Sequence, residues 1–337
     1  MVLLDIRNLS VSFRHGTLRA VNNLSYALDA GETLGIVGES GSGKSVHILA
    51  LLGLLPGTAR MQSDGIVFEG QDLSRLSARA LRDIRGARIG MIFQDPMSAL
   101  NPVLPIGWQV MAPLRRHMGL GRSAARQRAI ELLDLVGLPE PARQMHAYPH
   151  QLSGGMRQRV MIAMAISCNP ALVIADEATT ALDVTMQARI IDLLTDLKRA
   201  LGMAMIWISH DLGVVAGMAD TVQVMYAGGI QERGPTASVF AHPRSYYTYA
   251  LLRSLPRAGA TTASRLHPIA GQPPDLAHMP PGDPFAPRNP CATPRCHVAV
   301  PPLRSLPGMD PRHLVAAWYD LPACLAARAP HSSPPAP

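Results

Sequence analysis

The chain has 337 residues, of which 47% are hydrophobic, and a formal net charge of +7 at pH 7. That length allows one large domain with a smaller one beside it. No apolar run approaches the ~20 residues that span a bilayer, and no secretory signal opens the chain, so we expect a cytosolic protein. The positive charge would suit nucleic acid, anionic lipid or ATP, but the arginines are scattered rather than gathered in a stripe, which argues against nucleic acid.

Residues 1–255 are predicted to form a compact α/β domain. Two strands joined by a hairpin-like connection come first, at 3–13 and 20–28. Short apolar strands follow, and their lack of alternation is typical of buried strands in a mainly parallel sheet; they lie at 34–37, 88–93, 172–175, 205–208 and 221–225. Amphipathic helical segments lie between them, at 124–136, 153–167 and 185–201. The interval 97–155 lacks strand signals, so we expect a mostly helical insertion there.

Proline marks the second part of the chain. Residues 256–337 hold 19 of the 30 prolines. Proline interrupts helices and cannot donate to a sheet ladder, so this density excludes long helices and central strands. We expect an irregular extension here, with a poorly ordered tail after about residue 328.

A glycine-rich stretch carries the strongest functional signal. It lies between the apolar strand 34–37 and a helix-like segment at 46–55, the context that a phosphate-binding loop needs. Its glycines let backbone N–H groups surround a phosphate, and the helix start adds a partial positive charge. Lys44 is one of only two lysines among 31 basic residues, and a compact ammonium suits the β- and γ-phosphates. The predicted nucleotide-binding residues are Gly38, Glu39, Ser40, Gly41, Ser42, Gly43, Lys44 and Ser45.

Two acids end the apolar strand 172–175. In open α/β sheets, ligands collect at the carboxyl ends of the strands, where Asp176 and Glu177 would lie. We assign Asp176 to the Mg²⁺ of the nucleotide, which Ser45 would also ligate. Glu177 is predicted to act as the general base for an attacking water.

A second anion site is predicted at 153–155. Ser153 is a good N-cap, and Gly154 and Gly155 open the following helix, whose exposed N–H groups can bind phosphate. One ATP does not need two such helix starts from the same subunit. We therefore expect this one to contact a nucleotide held by another subunit, although an ordinary capped helix is the alternative reading.

Together these segments resemble the nucleotide-binding subunit of an ATP-binding cassette (ABC) transporter. Walker A, the Leu-Ser-Gly-Gly-Met segment and Walker B stand in the family's order. The resemblance implies a P-loop NTPase with a RecA-like parallel core, an antiparallel β subdomain and a helical subdomain. It implies that Gln94 senses the γ-phosphate and neighbours the Mg²⁺, that Asp183 belongs to the D-loop 181–183, that His210 is the switch histidine, and that Phe13 stacks on adenine.

The resemblance narrows to the dipeptide and oligopeptide importer branch. Segments 93–102, 148–156, 178–184 and 224–228 are similar to that branch, and the likeness covers about residues 3–255. Ala178 stands where proline is common, a change we expect to matter little. With Glu177 and His210 both present, the site is expected to hydrolyse ATP.

Relatives of this branch usually carry a Pro- and Cys-rich extension, in some members with four cysteines for an iron–sulfur cluster. Here Asp283 and Asn289 replace two expected cysteines, Cys296 and Cys324 match a third and a fourth, and Cys291 is offset. Because thiolates ligate a [4Fe–4S] cluster, these replacements argue against one. A zinc site has poor spacing, and we expect inert thiols instead. The conceivable zinc ligands would be Cys291, Cys296, His297 and Cys324.

The resemblance therefore implies an ATPase that is bound to the cytoplasmic face of the bacterial inner membrane and powers the import of dipeptides or oligopeptides. Because the binding protein and the permeases contact the cargo, nickel chelates, opines and glutathione stay open as substrates. The implied partners are a second, related ATPase subunit, two integral permeases moved through contacts near Gln94 and residues 97–118, and an extracytoplasmic peptide-binding protein. A soluble ATPase acting on ribosomes or DNA would commonly carry two cassettes or a coiled-coil insertion, which the sequence lacks. A non-catalytic nucleotide sensor is disfavoured by the intact acid pair.

Overall fold

The computed structural model of the chain describes residues 1–179, 183–254 and 268–328. The predicted tail after 328 and most of the D-loop lie outside the described residues. In chain order the strands and helices are β1 Val2–Phe13, β2 Leu18–Asp29, β3 Thr33–Val37, α1 Lys44–Leu51, β4 Arg60–Gln62, β5 Gly65–Phe68, β6 Gln71–Asp72, α2 Ala78–Ile84, β7 Ile89–Ile92, α3 Pro96–Ala99, α4 Ile106–His117, α5 Arg122–Leu135, α6 Pro141–Gln144, α7 Gly154–Ile166, β8 Leu172–Asp176, α8 Val184–Leu201, β9 Ala204–Ile208, α9 Leu212–Met218, β10 Thr221–Tyr226, β11 Gly229–Pro235, α10 Thr236–Ala241, α11 Tyr246–Arg253, α12 Pro294–Val298, β12 Leu303–Ser305, β13 Leu314–Ala316 and α13 Leu321–Arg328.

Two sheets organise the molecule. The N-terminal sheet has the order β2-β1-β5-β6, with β4 beside β1, and its strands are antiparallel. The large sheet has the order β12-β13-β11-β10-β3-β9-β8-β7. Its five strands from β10 to β7 run parallel, whereas β11, β13 and β12 are antiparallel. The parallel core carries the predicted phosphate chemistry at its carboxyl edge.

Successive residues of the parallel strands contribute to two different cores. On β8, Leu172 and Ile174 pack with α1 and the N-terminal sheet, whereas Val173 and Ala175 pack with α7, α8 and the other helices. A strand that is buried on both faces has apolar residues throughout, so it shows no alternation. This is the pattern that predicted the parallel sheet.

The helical insertion comprises α3, α4, α5 and α6. Helices α4 and α5 pack on each other and on α7 through buried Val110, Leu114, Ala129 and Leu133. This interval contains no strand, as predicted, and all of it is described.

The C-terminal extension contains more regular structure than the irregular segment that we predicted. Its strand β13 pairs with β11, and β12 pairs with β13, so it lengthens the large sheet at one end. His313, directly before β13, contacts Glu232 of β11 with 2.7 Å between Nε2 and Oε1, and both side chains are completely buried. The strands have three residues each and lie away from the sheet centre, which is where a proline-rich sequence can still supply pairing.

The expectation of inert thiols is wrong for two of the cysteines. Cys291, which lies shortly before α12, forms a disulfide with Cys324 in α13. Free thiols are found at Cys168, which is half-buried, and at Cys296, which is buried. The disulfide includes two of the four conceivable zinc ligands, Cys291 and Cys324.

Candidate active site

The loop 38–45 connects β3 to α1 in a conformation that two glycines make possible. Gly38 has φ +151°, and a Cβ there would lie 2.1 Å from the Met225 carbonyl oxygen. Gly43 has φ +95°, and its Cβ would lie 2.4 Å from the Ala20 carbonyl oxygen. Because both obstacles are backbone atoms, no side chain fits, and the loop can wrap closely around a ligand only with glycine at these positions.

Lys44 is buried at the end of this loop, where α1 begins. Its ammonium donates to the carbonyl oxygens of Gly38, at 2.7 Å, and Glu39, at 3.0 Å. Burial lowers the pKa of Lys44, while the carboxylates of Glu177, Asp176 and Glu39 oppose that shift. The charged form is thus partly desolvated and close to the loop, as a phosphate-binding ammonium must be.

Ser45 and Asp176 place two oxygens together where the loop enters α1. The Ser45 hydroxyl donates to Asp176 Oδ1 at 3.0 Å. Burial raises the pKa of Asp176, and the hydrogen bond from Ser45 and the charge of Lys44 oppose that rise. Hard oxygen donors of this kind are what Mg²⁺ takes alongside nucleotide phosphates, so the residues present fit the ion.

Glu177 has an unusual backbone conformation directly after β8. Its φ is +49°, which is uncommon for a residue with a side chain, and its N–H donates to the Ile208 carbonyl oxygen at 3.0 Å. Gln94 Nε2 donates to Glu177 Oε2 at 2.9 Å, and His210 Nδ1 lies 3.8 Å from the same oxygen. Backbone strain of this kind persists where the surroundings over-determine it, often at functional sites.

Four neighbouring parallel strands supply these groups. The loop 38–45 follows β3, His210 follows β9, Glu177 follows β8 and Gln94 follows β7. Parallel strands end at one edge of the sheet, which explains why residues as far apart in the chain as Lys44 and His210 share one site. The structure thus brings the loop, the acid pair, Gln94 and His210 together.

The helix start at 153–155 and Asp183 lie in a separate group. Ser153 caps α7 by accepting from the Met156 N–H at 3.3 Å, and Asp183 caps α8 by accepting from the Met186 N–H at 2.9 Å. A Cβ on Gly155 would lie 2.2 Å from Met186 Cε, so the two helix starts are adjacent. Across the described part of the chain, no hydrogen bond or ion pair joins 153–155 to the loop 38–45.

Two further residues complete the description of the site. Phe13 ends β1 and is half-buried against the core beneath the N-terminal sheet, so its contact with adenine stays a prediction. Gln158 in α7 was not predicted from the sequence; its buried amide donates to the Ala178 carbonyl oxygen at 2.6 Å and ties α7 to the turn after β8.

Comparison with known proteins decides the family. Residues 21–180 match the model described as ABC transporter, and residues 231–296 match the oligopeptide/dipeptide transporter C-terminal region. The dipeptide transport ATP-binding protein DppD of Escherichia coli is 49% identical over 308 residues, covering 91% of this chain and 94% of that protein. The oligopeptide transport ATP-binding protein OppD of Bacillus subtilis is 46% identical over 319 residues, covering 94% and 88%.

The chain belongs to the ABC transporter family. Within that family it falls in the dipeptide and oligopeptide branch, as its motifs predicted. Two solved ABC structures share the fold at 28% identity. The cassette MJ0796 in a dimeric post-hydrolysis state with ADP and Pi has a TM-score of 0.61 and covers 69% of this chain and 98% of its own. CbiO1 from Clostridium perfringens, part of the transporter complex cbiONQ, has a TM-score of 0.63 and covers 72% and 91%.

The predicted P-loop NTPase fold is confirmed by these relatives, and so is the membership of the ATP-hydrolysing ABC proteins. No helix in the three described ranges of this ABC protein has the length and apolar character to cross a bilayer. The roles of the individual site residues stay predictions.

Proposed function

We propose that this ABC protein powers the import of dipeptides or oligopeptides by hydrolysing ATP on the cytoplasmic face of the inner membrane. The observation that carries the proposal is the cluster of Lys44, Ser45, Asp176 and Glu177 at one sheet edge, in a chain whose relatives are named as dipeptide and oligopeptide transport ATP-binding proteins.

The chemistry follows from the positions of these groups. The loop N–H groups and the Lys44 ammonium bind the β- and γ-phosphates, while Ser45, Asp176 and the carbonyl oxygen of Gln94 would hold Mg²⁺, which neutralises phosphate charge. Glu177 removes a proton from water as the water oxygen attacks the γ-phosphorus and the bond to the β-phosphate oxygen breaks. His210 Nδ1 lies 3.8 Å from Glu177 Oε2, and in this proposal it would contact the γ-phosphate.

The pocket requires a second ATP-binding subunit. At the start of α7, Ser153 and Gly154 are exposed and Gly155 is buried, and within the described residues none of the three makes a hydrogen bond to the chain's own loop 38–45. We propose that this helix start contacts the γ-phosphate of an ATP held by a related subunit, whose equivalent helix start completes the pocket described here.

An apolar surface near Gln94 is the proposed contact with the permeases. Large apolar side chains are exposed on the turn after β7, on α3, in the loop between α3 and α4, and at the start of α4, with Val103 at 75% and Trp108 at 52% of full exposure. Exposed patches of this kind mark protein interaction sites. They adjoin Gln94, so a permease bound here would sense the state of Glu177. The other members are Phe93, Met97 and Leu104.

Peptide uptake by the complete complex in liposomes tests the proposal. With ATP inside the liposomes and peptide-binding protein outside, the natural complex should accumulate a labelled dipeptide or oligopeptide. Glu177→Gln should bind ATP normally but transport about 10²–10⁴-fold more slowly, because the general base is lost. Asp196→Asn, at an exposed position on α8, is the matched control and should transport normally. Undiminished uptake by the Glu177 variant would refute the assignment.

A further inference from the structure

The C-terminal extension contacts the phosphate-binding loop directly through Arg288. Its guanidinium donates to both carboxylate oxygens of Glu39, at 2.8 and 3.0 Å, in a bidentate ion pair. The Arg288 side chain is only 5% exposed. Residue 39 is the second residue of the loop, and 249 positions separate it from its partner in the chain.

The contact is built into the core of the molecule. Arg288 also donates to the Tyr226 hydroxyl at 3.1 Å and to the carbonyl oxygen of Ala270 at 2.9 Å. Beside it, Phe285 packs against Tyr226 and Tyr247 with ring centroids 5.1 Å apart in both cases, and all three rings are buried. The extension therefore anchors the arginine on the cassette rather than lying loosely on its surface.

Every polar group of Glu39 has a partner. Its N–H donates to the Tyr247 hydroxyl at 2.9 Å, its carbonyl oxygen accepts from Lys44 and its carboxylate accepts from Arg288. Burial disfavours the charge on Arg288, but its hydrogen bonds to Glu39 and Tyr226 outweigh that effect and raise its pKa, so the cation is permanent. The position of Glu39 in the loop is thus fixed by contacts with three side chains.

The charge of Glu39 gives this contact a role in ATP binding. A carboxylate in a phosphate-binding loop repels the polyphosphate, and that repulsion is strong where water is partly excluded. A buried cation forked onto the carboxylate cancels the repulsion and keeps the carboxylate turned away. We propose that Arg288 is a positioning residue for ATP binding, which neutralises and orients Glu39 and makes the extension a working part of the nucleotide site.

This inference rests on the proposed function, since it assumes that the loop binds ATP. It also predicts more than a structural tether does. If charge is what matters, removing the carboxylate should compensate for removing the arginine, and the defect should be larger for ATP than for ADP, which carries less charge. A mere tether predicts neither result.

Binding of mant-ATP with Mg²⁺ to the purified full chain tests the inference. Arg288→Met should raise the Kd about tenfold, because it leaves a half-buried carboxylate unpaired beside the phosphates. The same variant should raise the Kd for mant-ADP less. The double variant Glu39→Gln, Arg288→Met should return the Kd for mant-ATP to within about threefold of the natural value, since no unpaired charge remains. Arg312→Met breaks the exposed pair with Asp310 in the same extension and should bind like the natural chain.

Two results would overturn the inference: binding by Arg288→Met within about twofold of the natural chain, the range of an unimportant surface pair, or a double variant as weak as the single one. If circular dichroism shows that Arg288→Met does not fold, Arg288→Lys decides; an ammonium cannot form the fork, so binding should weaken about threefold, and unchanged binding refutes the proposal. A natural chain that fails to bind mant-ATP would instead refute the proposed function, and this inference with it.

Discussion

His47 is a titratable side chain that the fold keeps uncharged. It lies in the first turn of α1 and is completely buried. Burial lowers its pKa from 6.5 to about 4, opposed by its contacts with the backbone of Gly43 and Lys44. Its Nε2 has no hydrogen-bond partner among the described residues. The unfolded chain therefore binds a proton near pH 6.5, whereas the folded chain does so only near pH 4, and acidification between these values favours unfolding.

Replacing His47 with Met should flatten this part of the stability profile. We expect the free energy of unfolding of the natural chain to fall by up to ~3 kcal/mol between pH 6.5 and 4 because of this group, and by less in His47→Met. Urea unfolding followed by circular dichroism at several pH values measures the difference. His242→Met, at an exposed position, should keep the natural slope. Parallel profiles for His47→Met and the natural chain would contradict the expectation.

Burial shifts the pKa of Asp176 upward, whereas it shifts the pKa of His47 downward. Because burial raises its pKa, the carboxylate is protonated at a higher pH than an ordinary Asp. A protonated carboxyl binds Mg²⁺ poorly, so ATP hydrolysis should decline on acidification at a higher pH than it would with an ordinary Asp at this position. Asp176→Asn should need about 100-fold more Mg²⁺ for half-maximal hydrolysis, judged from the effects of altered metal-site residues. Titrating Mg²⁺ into the assembled complex measures this, and an unchanged Mg²⁺ requirement would exclude Asp176 as a ligand.

Helices and strands with a clear local sequence pattern were predicted at their observed positions. Those that depend on contacts with other parts of the fold were not. The strand predicted at 34–37 is β3, Thr33–Val37, because its residues are apolar on both faces. The bounds of helix α4, Ile106–His117, were not predicted within the mostly helical interval 97–155: Gly107 and Pro113 interrupt its pattern, and the helix is stabilised by burial against α5 and α7. Strand β13 has three residues, too few to show a period, and forms because β11 offers it an edge.

The same difference between local patterns and long-range contacts explains which residues of the site were predicted. The loop 38–45 and the acid pair have fixed local patterns, so the sequence predicts them. The ion pair between Glu39 and Arg288 spans 249 positions and has no local pattern. The neighbouring positions Asp283 and Asn289 were notable only because they replace expected cysteines, so nothing in the sequence marked Arg288. The contact between the extension and the loop depends on the tertiary structure, which a local sequence pattern does not contain.

The disulfide between Cys291 and Cys324 predicts a separable effect on the extension. Cys291→Ser with Cys324→Ser should lower the stability of the oxidised extension by about 2–4 kcal/mol, because the bond closes a loop of about 33 residues. ATP binding should persist, since Arg288 and Phe285 anchor the extension independently. Limited proteolysis and mant-ATP binding measure the two effects. Peptide mapping of the oxidised chain should find the Cys291–Cys324 link, and a link through Cys296 instead would contradict the structure.

At the scale of the whole molecule, the residues predicted to bind phosphate fall into two separate sets. The loop, the acid pair, Gln94 and His210 share one sheet edge, while Ser153, Gly155 and Asp183 form a group around the starts of α7 and α8. Gln158 connects the two sets, because its amide in α7 donates to the carbonyl oxygen of Ala178, the residue directly after Glu177. The proposed partner subunit would close the distance between one chain's loop and the other chain's α7.

Turnover by the isolated full chain, compared with turnover by the assembled complex, tests this account most directly. Light scattering fixes the oligomeric state while phosphate release gives the rate per chain. Because the monomer lacks the partner's N–H donors at the γ-phosphate, we predict turnover on the order of 100-fold lower than in the complex. A chain that remains monomeric at every concentration and hydrolyses ATP as fast as the complex would contradict the shared pocket.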